Sequence, residues 1–342
     1  MRTVDPLAFP LWDDLISKSE SGSFFHTTAW ARVLRDTYGH QPSYFAAASD
    51  STLDALLPVM EVSSRVTGKR GVCLPFTDEC PIIRANESSN EELFELALEK
   101  GRSRSWRYLE IRSNDFSVPG ATPSMPFYGH ILELQPNERD NFDRLDSVMR
   151  RGIRKASKGG LQVEFATTRE AMLDFYELHC QTRRRHGVPP QPFRFFENIA
   201  RHVLARDLGF VAIVRLAARP IAAAVFFYLK QEAIYKFGAS DYNQQHWRPN
   251  NLLMWEAIKR CVQQGCTRIH LGRTSLGQEG LRRFKLSLGA CEEQISYYRF
   301  DFKTNAFVTT VDRAHSRLTA VFRFLPQTLF RAAGRLLYPH LS

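Results

Sequence analysis

The sequence predicts a mixed α/β (α+β) protein, two tandem halves each with a mixed sheet, followed by C-terminal helices. Three observations carry this. The chain has 342 residues, and at roughly 100–200 residues per domain that is the length of two. One helix–glycine–strand–turn–strand pattern occurs in each half. The second half reads α-α-β-β-β-α-β-α-β, a meander followed by a β-α-β unit, which gives a mixed sheet flanked by helices.

The repeat runs as follows. Phe24-Phe25-His26-Thr27-Thr28-Ala29-Trp30 leads into a helix carrying Val33 and stopping at Gly39, then into the strand Tyr44–Ala48, a turn, and Ala55–Val59. In the second half Phe193–Phe196 leads into a helix carrying Val203 and stopping at Gly209, then into Phe210–Val214, a turn, and Ile221–Val225. Val33 and Val203 lie 170 residues apart. That offset is far longer than the 20–50-residue period of a solenoid and indicates two copies of one domain.

Within the second half, Leu173, Phe175, Tyr176 and Leu178 mark a helix ending near Gly187, where Pro189-Pro190 follows. Strands are expected at Phe210–Leu216, Ile221–Leu229 and Ala233–Ala239, from their β-branched and aromatic content. Pro249 opens a helix over about 250–264 that stops at Gly265. A strand at Arg268–Leu271, a short helix over 280–288 and a strand at Gln294–Phe302 complete the half. The expected boundaries are 1–140, 141–310 and a basic helical segment at 311–342.

Composition is ordinary for a globular protein, with 44% hydrophobic and 24% charged residues. No apolar run of about 18 residues occurs, so no transmembrane helix is expected. The opening Met1-Arg2-Thr3-Val4-Asp5-Pro6 places an acid and a proline where a secretory leader would be apolar, so a cytosolic protein is expected. The six cysteines show no C-x-x-C and no zinc spacing, and read as reduced, mostly buried thiols without a metal.

Charge is uneven. The net charge is +10. Residues 144–158 hold six bases against Asp146, and 313–342 hold five arginines and no acid. Such clusters point to a phosphate-rich partner or an anionic membrane surface. Arg150, Arg151, Arg154 and Lys155 fall on a helix placed between the halves, with Arg151/Lys155 and Arg150/Arg154 four apart. There they would bind phosphate, arginine doing so bidentately; a solvated basic helix face is the plain alternative. At the C-terminus, Leu318, Val321, Phe322 and Leu325, then Leu329, Phe330, Ala333, Leu336 and Leu337, form apolar stripes beside Arg331 and Arg335. That pattern suits an in-plane membrane helix or a helix docked on its own domain.

Chemistry concentrates in the second half. Gly272-Arg273-Thr274-Ser275 follows an apolar strand, a common place for ligands. Arg273 and Ser275 are therefore candidates, with Asn250 at the start of the predicted helix. Lys285, behind Phe284, could stabilise an oxyanion or bind phosphate. Tyr235, in a strand before Gly238, could protonate a leaving group. Asp241 and Glu256 are the nearest acids, and spacing selects neither as a base; His246 and His270 stay unassigned. Ser240–Pro249 contains no glycine, so a conventional coenzyme A pyrophosphate loop is not expected. No P-loop and no Gly-x-Ser-x-Gly occur.

Several segments together resemble the Fem-type (FemAB-like) branch of the GNAT acyltransferase superfamily, and more closely its exopolysaccharide- and exosortase-associated members. They are Phe24–Trp30 with Tyr38-Gly39-His40, Leu74–Asp78, Arg150–Ala156, Tyr235–Ser240, Pro249–Glu256, Leu271–Ser275, and Phe284-Lys285 with Gly289. The resemblance spans about residues 20–300. It implies two tandem GNAT-like folds and transfer of an acyl or aminoacyl group to an amine of a phosphate-bearing envelope or exopolysaccharide precursor, including peptidoglycan precursors. It implies no tightly bound cofactor; the co-substrate would be an activated donor: aminoacyl-tRNA, acyl-CoA or acyl-carrier protein. It places Arg150–Ala156 near the precursor's phosphates and singles out Phe284-Lys285. The inserted coiled-coil arm of some Fem-type enzymes has no counterpart, which counts against tRNA. The rival readings are an acyl-CoA- or carrier-dependent N-acyltransferase and a non-catalytic lipid- or RNA-binding adaptor. DNA is not an expected partner. The expected location is the cytoplasm, with the inner face of the membrane as the alternative should the C-terminal helices bind lipid.

Overall fold

The structure, a computed structural model, describes all residues except 85, 87, 311–321 and 342. The chain forms two compact units, Met1–Phe127 with Gln294–Arg313 and Leu336–Ser342, and Tyr128–Glu293 with Ala314–Arg335.

In the first unit, β1 (Arg2–Val4), α1 (Trp12–Lys18) and α2 (Thr28–Tyr38) precede β2 (Gln41–Pro42), β3 (Tyr44–Ala48) and β4 (Leu53–Leu57). β5 (Met60–Ser64), β6 (Gly68–Val72), α3 (Ser88–Arg104) and β7 (Tyr108–Arg112) follow. Thr27 caps α2 by accepting from the Trp30 amide, and Gly39 ends it at φ 74°, the left-handed stop read from sequence. β1, β3 and β4 form one antiparallel sheet, while β2, β5, β6 and β7 form part of another in which β6 and β7 are parallel. Trp12, Trp30, Tyr44 and Phe45 fill the interior.

The second unit takes in most of β8 (Met125–Glu133), then α4 (Glu138–Asp143), α5 (Ser147–Lys158), β9 (Gln162–Ala166), α6 (Arg169–His186) and α7 (Phe193–His202). After these come β10 (Gly209–Leu216), β11 (Arg219–Leu229), β12 (Glu232–Ser240), α8 (Pro249–Gln263), β13 (Arg268–His270) and α9 (Glu279–Leu286). The strand order is β8-β13-β12-β11-β10-β9, with β12 and β13 parallel and the other pairs antiparallel. α6 starts at Thr168, whose side chain accepts from the Ala171 amide, and ends at Gly187 with φ 67°. The core joins Phe226, Leu253, Met254, Ile258 and Ile269.

The expected boundaries shift. The strand read at 294–302 is β14 (Cys291–Asp301), and from Gln294 it belongs to the first unit. It pairs antiparallel with β7, Tyr297 opposite Arg112 and Phe300 opposite Leu109, and β15 (Ala306–Phe307) pairs back on it. The division near 140 falls at 127/128, and α5 lies inside the second unit.

The C-terminal helix is α10 (Gln327–Leu337). It buries Phe330 and sets Gly334 so close to Pro190 that an added Cβ would lie 1.9 Å from that carbonyl oxygen. Arg331 pairs with Glu177 at 2.6 Å. This is a helix docked on protein, with Leu329 and Leu336 left exposed. Leu318 and Val321, from the earlier stripe, lie outside the described residues. Among the described residues no helix is long and apolar enough to cross a membrane. All six cysteines are free, and only Cys291 is exposed.

Candidate active site

The register of β12 builds the site. Val225 pairs with Phe237 but Phe226 pairs with Tyr235, so Lys236 is an extra residue, a β-bulge. A bulge reverses the alternation of faces beyond it. Tyr235 therefore packs on Phe226, while Phe237, two residues on, meets Phe175, Phe195 and Phe196 of α6 and α7. Tyr235, Gly238 and Ser240 instead open on one cavity of about 270 Å³. Pairing of β12 with β13 stops at Ile234 opposite His270. Beyond it, α8 supplies Asn250, Leu253 and Met254 to the cavity, and α9 supplies Leu281 and Phe284. Ala223 and Ala224 complete the apolar wall; Thr182 and Arg185 add polarity.

Two hydroxyls stand out. Burial raises the Tyr235 phenol to about 12, so it holds its proton through the neutral and mildly alkaline range. Among the described residues it has no hydrogen-bond partner. The Ser240 hydroxyl accepts from Gln245 Nε2 at 2.8 Å and from Asn250 Nδ2 at 3.3 Å. A hydroxyl has two acceptor positions and one proton, so these contacts leave the Ser240 proton to be donated. Thr182 fixes the strand end, its Oγ1 donating to the Ser240 carbonyl and accepting from the Ser240 amide.

Lys285 sits elsewhere. Phe284 faces the cavity, and the next residue, about 100° round the helix, does not. The Lys285 ammonium is buried and donates to Gly272 O at 2.7 Å, Arg273 O at 3.1 Å and Thr274 Oγ1 at 2.9 Å. Its three protons are thereby engaged. This geometry makes Lys285 the clamp of the 272–274 loop, in place of the oxyanion stabiliser read from sequence. Arg273 and Ser275 do not line the cavity.

The expected phosphate ligands do not line it either. α5 buries Met149, Gly152, Ile153 and Ala156 and turns Arg151, Arg154 and Lys155 to solvent. Arg150 lies 3.8 Å from Asp143, and the Arg154 guanidinium stands over Phe142. Of the predicted site residues, Tyr235 and Asn250 come together at the cavity.

The candidate bases are otherwise engaged. Asp241 receives Arg219 at 2.7 Å and caps the following 3₁₀ turn through the Asn243 amide. Glu256 pairs with Lys259 at 2.8 Å. His270 Nδ1 accepts from the Gly272 amide, and His246 Nδ1 meets Asn243 O. Among the described residues lining the cavity there is no carboxylate and no histidine. Sequence reading missed Ser240, because short-range spacing does not show which face of a bulged strand a residue takes. It missed Thr182 and Gln245 because contacts from α6 and from the following turn to Ser240 are set by packing.

Residues 144–286 match the family model described as "Acetyltransferase (GNAT) domain". This segment carries every residue that lines the cavity. Acyl transfer is the activity of that domain, so the chain is an acyltransferase whose donor is open. By structure it is similar to FemX, at 14% identity over 86% of this chain and 97% of that one, TM-score 0.68. It is also similar to the C-terminal domain (DUF2156) of a putative lysylphosphatidylglycerol synthetase from Agrobacterium fabrum, 13% identical over 86% and 91%, TM-score 0.56. A tandem GNAT protein from the clavulanic acid biosynthesis pathway is 10% identical over 88% and 97%, TM-score 0.53. At these identities the likeness is one of fold, and it supports the tandem GNAT architecture. No curated protein sequence matches the chain.

Proposed function

We propose that the second-unit cavity transfers an acyl or aminoacyl group from an activated donor to an amine of a phosphate-bearing envelope precursor. The observation that carries this is the pair of hydroxyls on β12, a protonated Tyr235 with no hydrogen-bond partner among the described residues and a Ser240 whose proton is left to be given. The acceptor amine attacks the carbonyl carbon of an ester or thioester. Ser240 donates to the oxygen as it becomes negative. Collapse breaks the bond to the leaving group, which takes the Tyr235 proton. The acceptor arrives as the free amine and still loses one proton as the amide forms. With no carboxylate or histidine among the described lining residues, that proton passes to water and the Tyr235 phenolate regains one from solvent. The aminoacyl form of the reading draws support from the fold shared with FemX and with a putative lysylphosphatidylglycerol synthetase.

The test is formation of labelled amide from ester- and thioester-activated donors with an amine-bearing envelope precursor. Ser240→Ala should lower kcat by about 100–1000-fold, the usual effect of losing one oxyanion donor, with KM little changed. An unaltered kcat removes Ser240 from the chemistry. Absence of amide with every donor type overturns the transfer reading.

A further inference from the structure

The exposed face of α5 is charged, unopposed and set apart from the cavity. At about 100° per residue, Arg151, Arg154, Lys155 and Lys158 fall within one arc, opposite buried Met149, Gly152, Ile153 and Ala156. Among the described residues none of these four has a carboxylate partner; Asp143 pairs with Arg139 and Arg150 instead. No acid occurs from 147 to 163. Val148, 58% exposed, heads the same face.

The inner side of α5 lies on α8. Asn251 Nδ2 donates to Met149 Sδ at 2.9 Å, and a Cβ on Gly152 would come 2.6 Å from that same amide nitrogen. Asn251 is next to Asn250, which lines the cavity. The cations therefore stand one helix diameter, about 10 Å, further out than the residues touching the cavity edge. A small substrate seated in the cavity does not reach them. A large anionic partner that delivers its acyl group on a tether does.

The turn between β12 and α8 narrows the choice of tether. Four of its amides are spent internally: Asn243 N on Asp241 Oδ1, Gln244 N on Asp241 O, Arg248 N on Gln245 O and Asn251 N on Arg248 O. These bonded amides form no cradle for the pyrophosphate of a free nucleotide. The basic face is also short, the seven-residue step from Arg151 to Lys158 spanning about 10 Å. That length matches one acidic helix better than a run of nucleic-acid phosphates.

We infer that the α5 face docks an acyl-carrier protein, whose acidic helix meets Arg151, Arg154, Lys155 and Lys158 while its phosphopantetheine thioester reaches the cavity. This rests on the transfer reading and names its donor. Transfer then breaks the thioester C–S bond and forms the amide C–N bond; the carrier thiol leaves with the proton from Tyr235.

The test is fluorescence anisotropy of labelled holo-acyl-carrier protein titrated with the full-length chain. Saturable binding that weakens as salt screens the charges is expected. Arg151→Glu with Lys155→Glu should weaken it at least about tenfold, and Lys158→Glu alone should do so less. All three positions are exposed, so a melting curve like that of the wild type accompanies the result. No saturable binding, or binding indifferent to charge reversal, overturns the docking surface. Preferential binding of labelled aminoacyl-tRNA that the same reversal abolishes overturns it in favour of RNA. Turnover of acyl-pantetheine, which lacks carrier and phosphate, is measured on the wild type in parallel. It reports on the cavity alone, so a failed docking surface is distinguished from failed transfer.

Discussion

The hydroxyl of Tyr235 fills the space that a side chain at residue 238 would need. A Cβ built on Gly238 would lie 1.8 Å from that oxygen. The φ of Gly238 lies outside the left-handed region, so it is the missing side chain, not backbone freedom, that requires glycine there. Gly238→Ala should therefore leave β12 intact and push the phenol aside. A displacement of about 1 Å near the reacting atoms can cost about 100-fold, and a kcat loss of that order with near-native stability is expected. Native kcat in this variant would show that the phenol's position is immaterial.

Tyr235→Phe keeps the ring on Phe226 and removes only the proton. Loss of a general acid costs about 100–10,000-fold, and it should appear in kcat rather than KM. Because burial holds this phenol at about 12, the wild-type rate should show no decline from this group in the mildly alkaline range. A donor with a better leaving group should narrow the gap between variant and wild type.

Lys285→Met should destabilise the protein as well as slow it. The substitution leaves Gly272 O, Arg273 O and Thr274 Oγ1 without their shared donor. Each buried polar group left unsatisfied costs about 1–3 kcal/mol, so urea midpoints should fall clearly. Arginine should not rescue, since its planar fork cannot replace a compact ammonium. Unchanged stability with lowered kcat would return Lys285 to the chemistry.

Acid should unfold the second unit through two histidines. Burial lowers His179 to about 3, helped by Arg183, while its Nε2 meets Gln191 Oε1 at 2.9 Å. Burial and the nearby Lys285 charge lower His130 to about 4, with Glu292 opposing. Both are neutral in the fold, whereas the unfolded chain takes up protons near 6.5. Their contribution is complete above that value and is lost as pH falls towards 4 and then 3. Thermal midpoints should drop across this window, and His179→Phe, which cannot titrate, should flatten the drop.

Much of the fold was legible in the residues. Pro249 at the first position of α8, Gly39 and Gly187 as left-handed stops, and the strands at 44–48, 210–216 and 221–229 all lie where local chemistry placed them. These are short-range effects of capping, fixed φ and alternation. The strand at 294–301 was legible as a strand but not as a partner of β7, because hydrogen-bonding capacity along a strand does not name its neighbour. Asn250 and Tyr235 were legible as candidates, and Ser240 was not.

The sequence by itself determined most helices and strands from 169 to 301, where charge collects on α5, and that the turn before α8 has no glycine. Each depends on residues within a few positions of one another. Tertiary structure alone decided the bulge at Lys236, which turns Tyr235 and Ser240 to one cavity and Phe237 to the opposite side. It also decided that Phe284 faces that cavity while Lys285 closes on a loop eleven to thirteen residues away. The physical reason is the same in both cases. A side chain's face is set by pairing and packing against distant segments, and a one-residue slip in that pairing exchanges the inside for the outside.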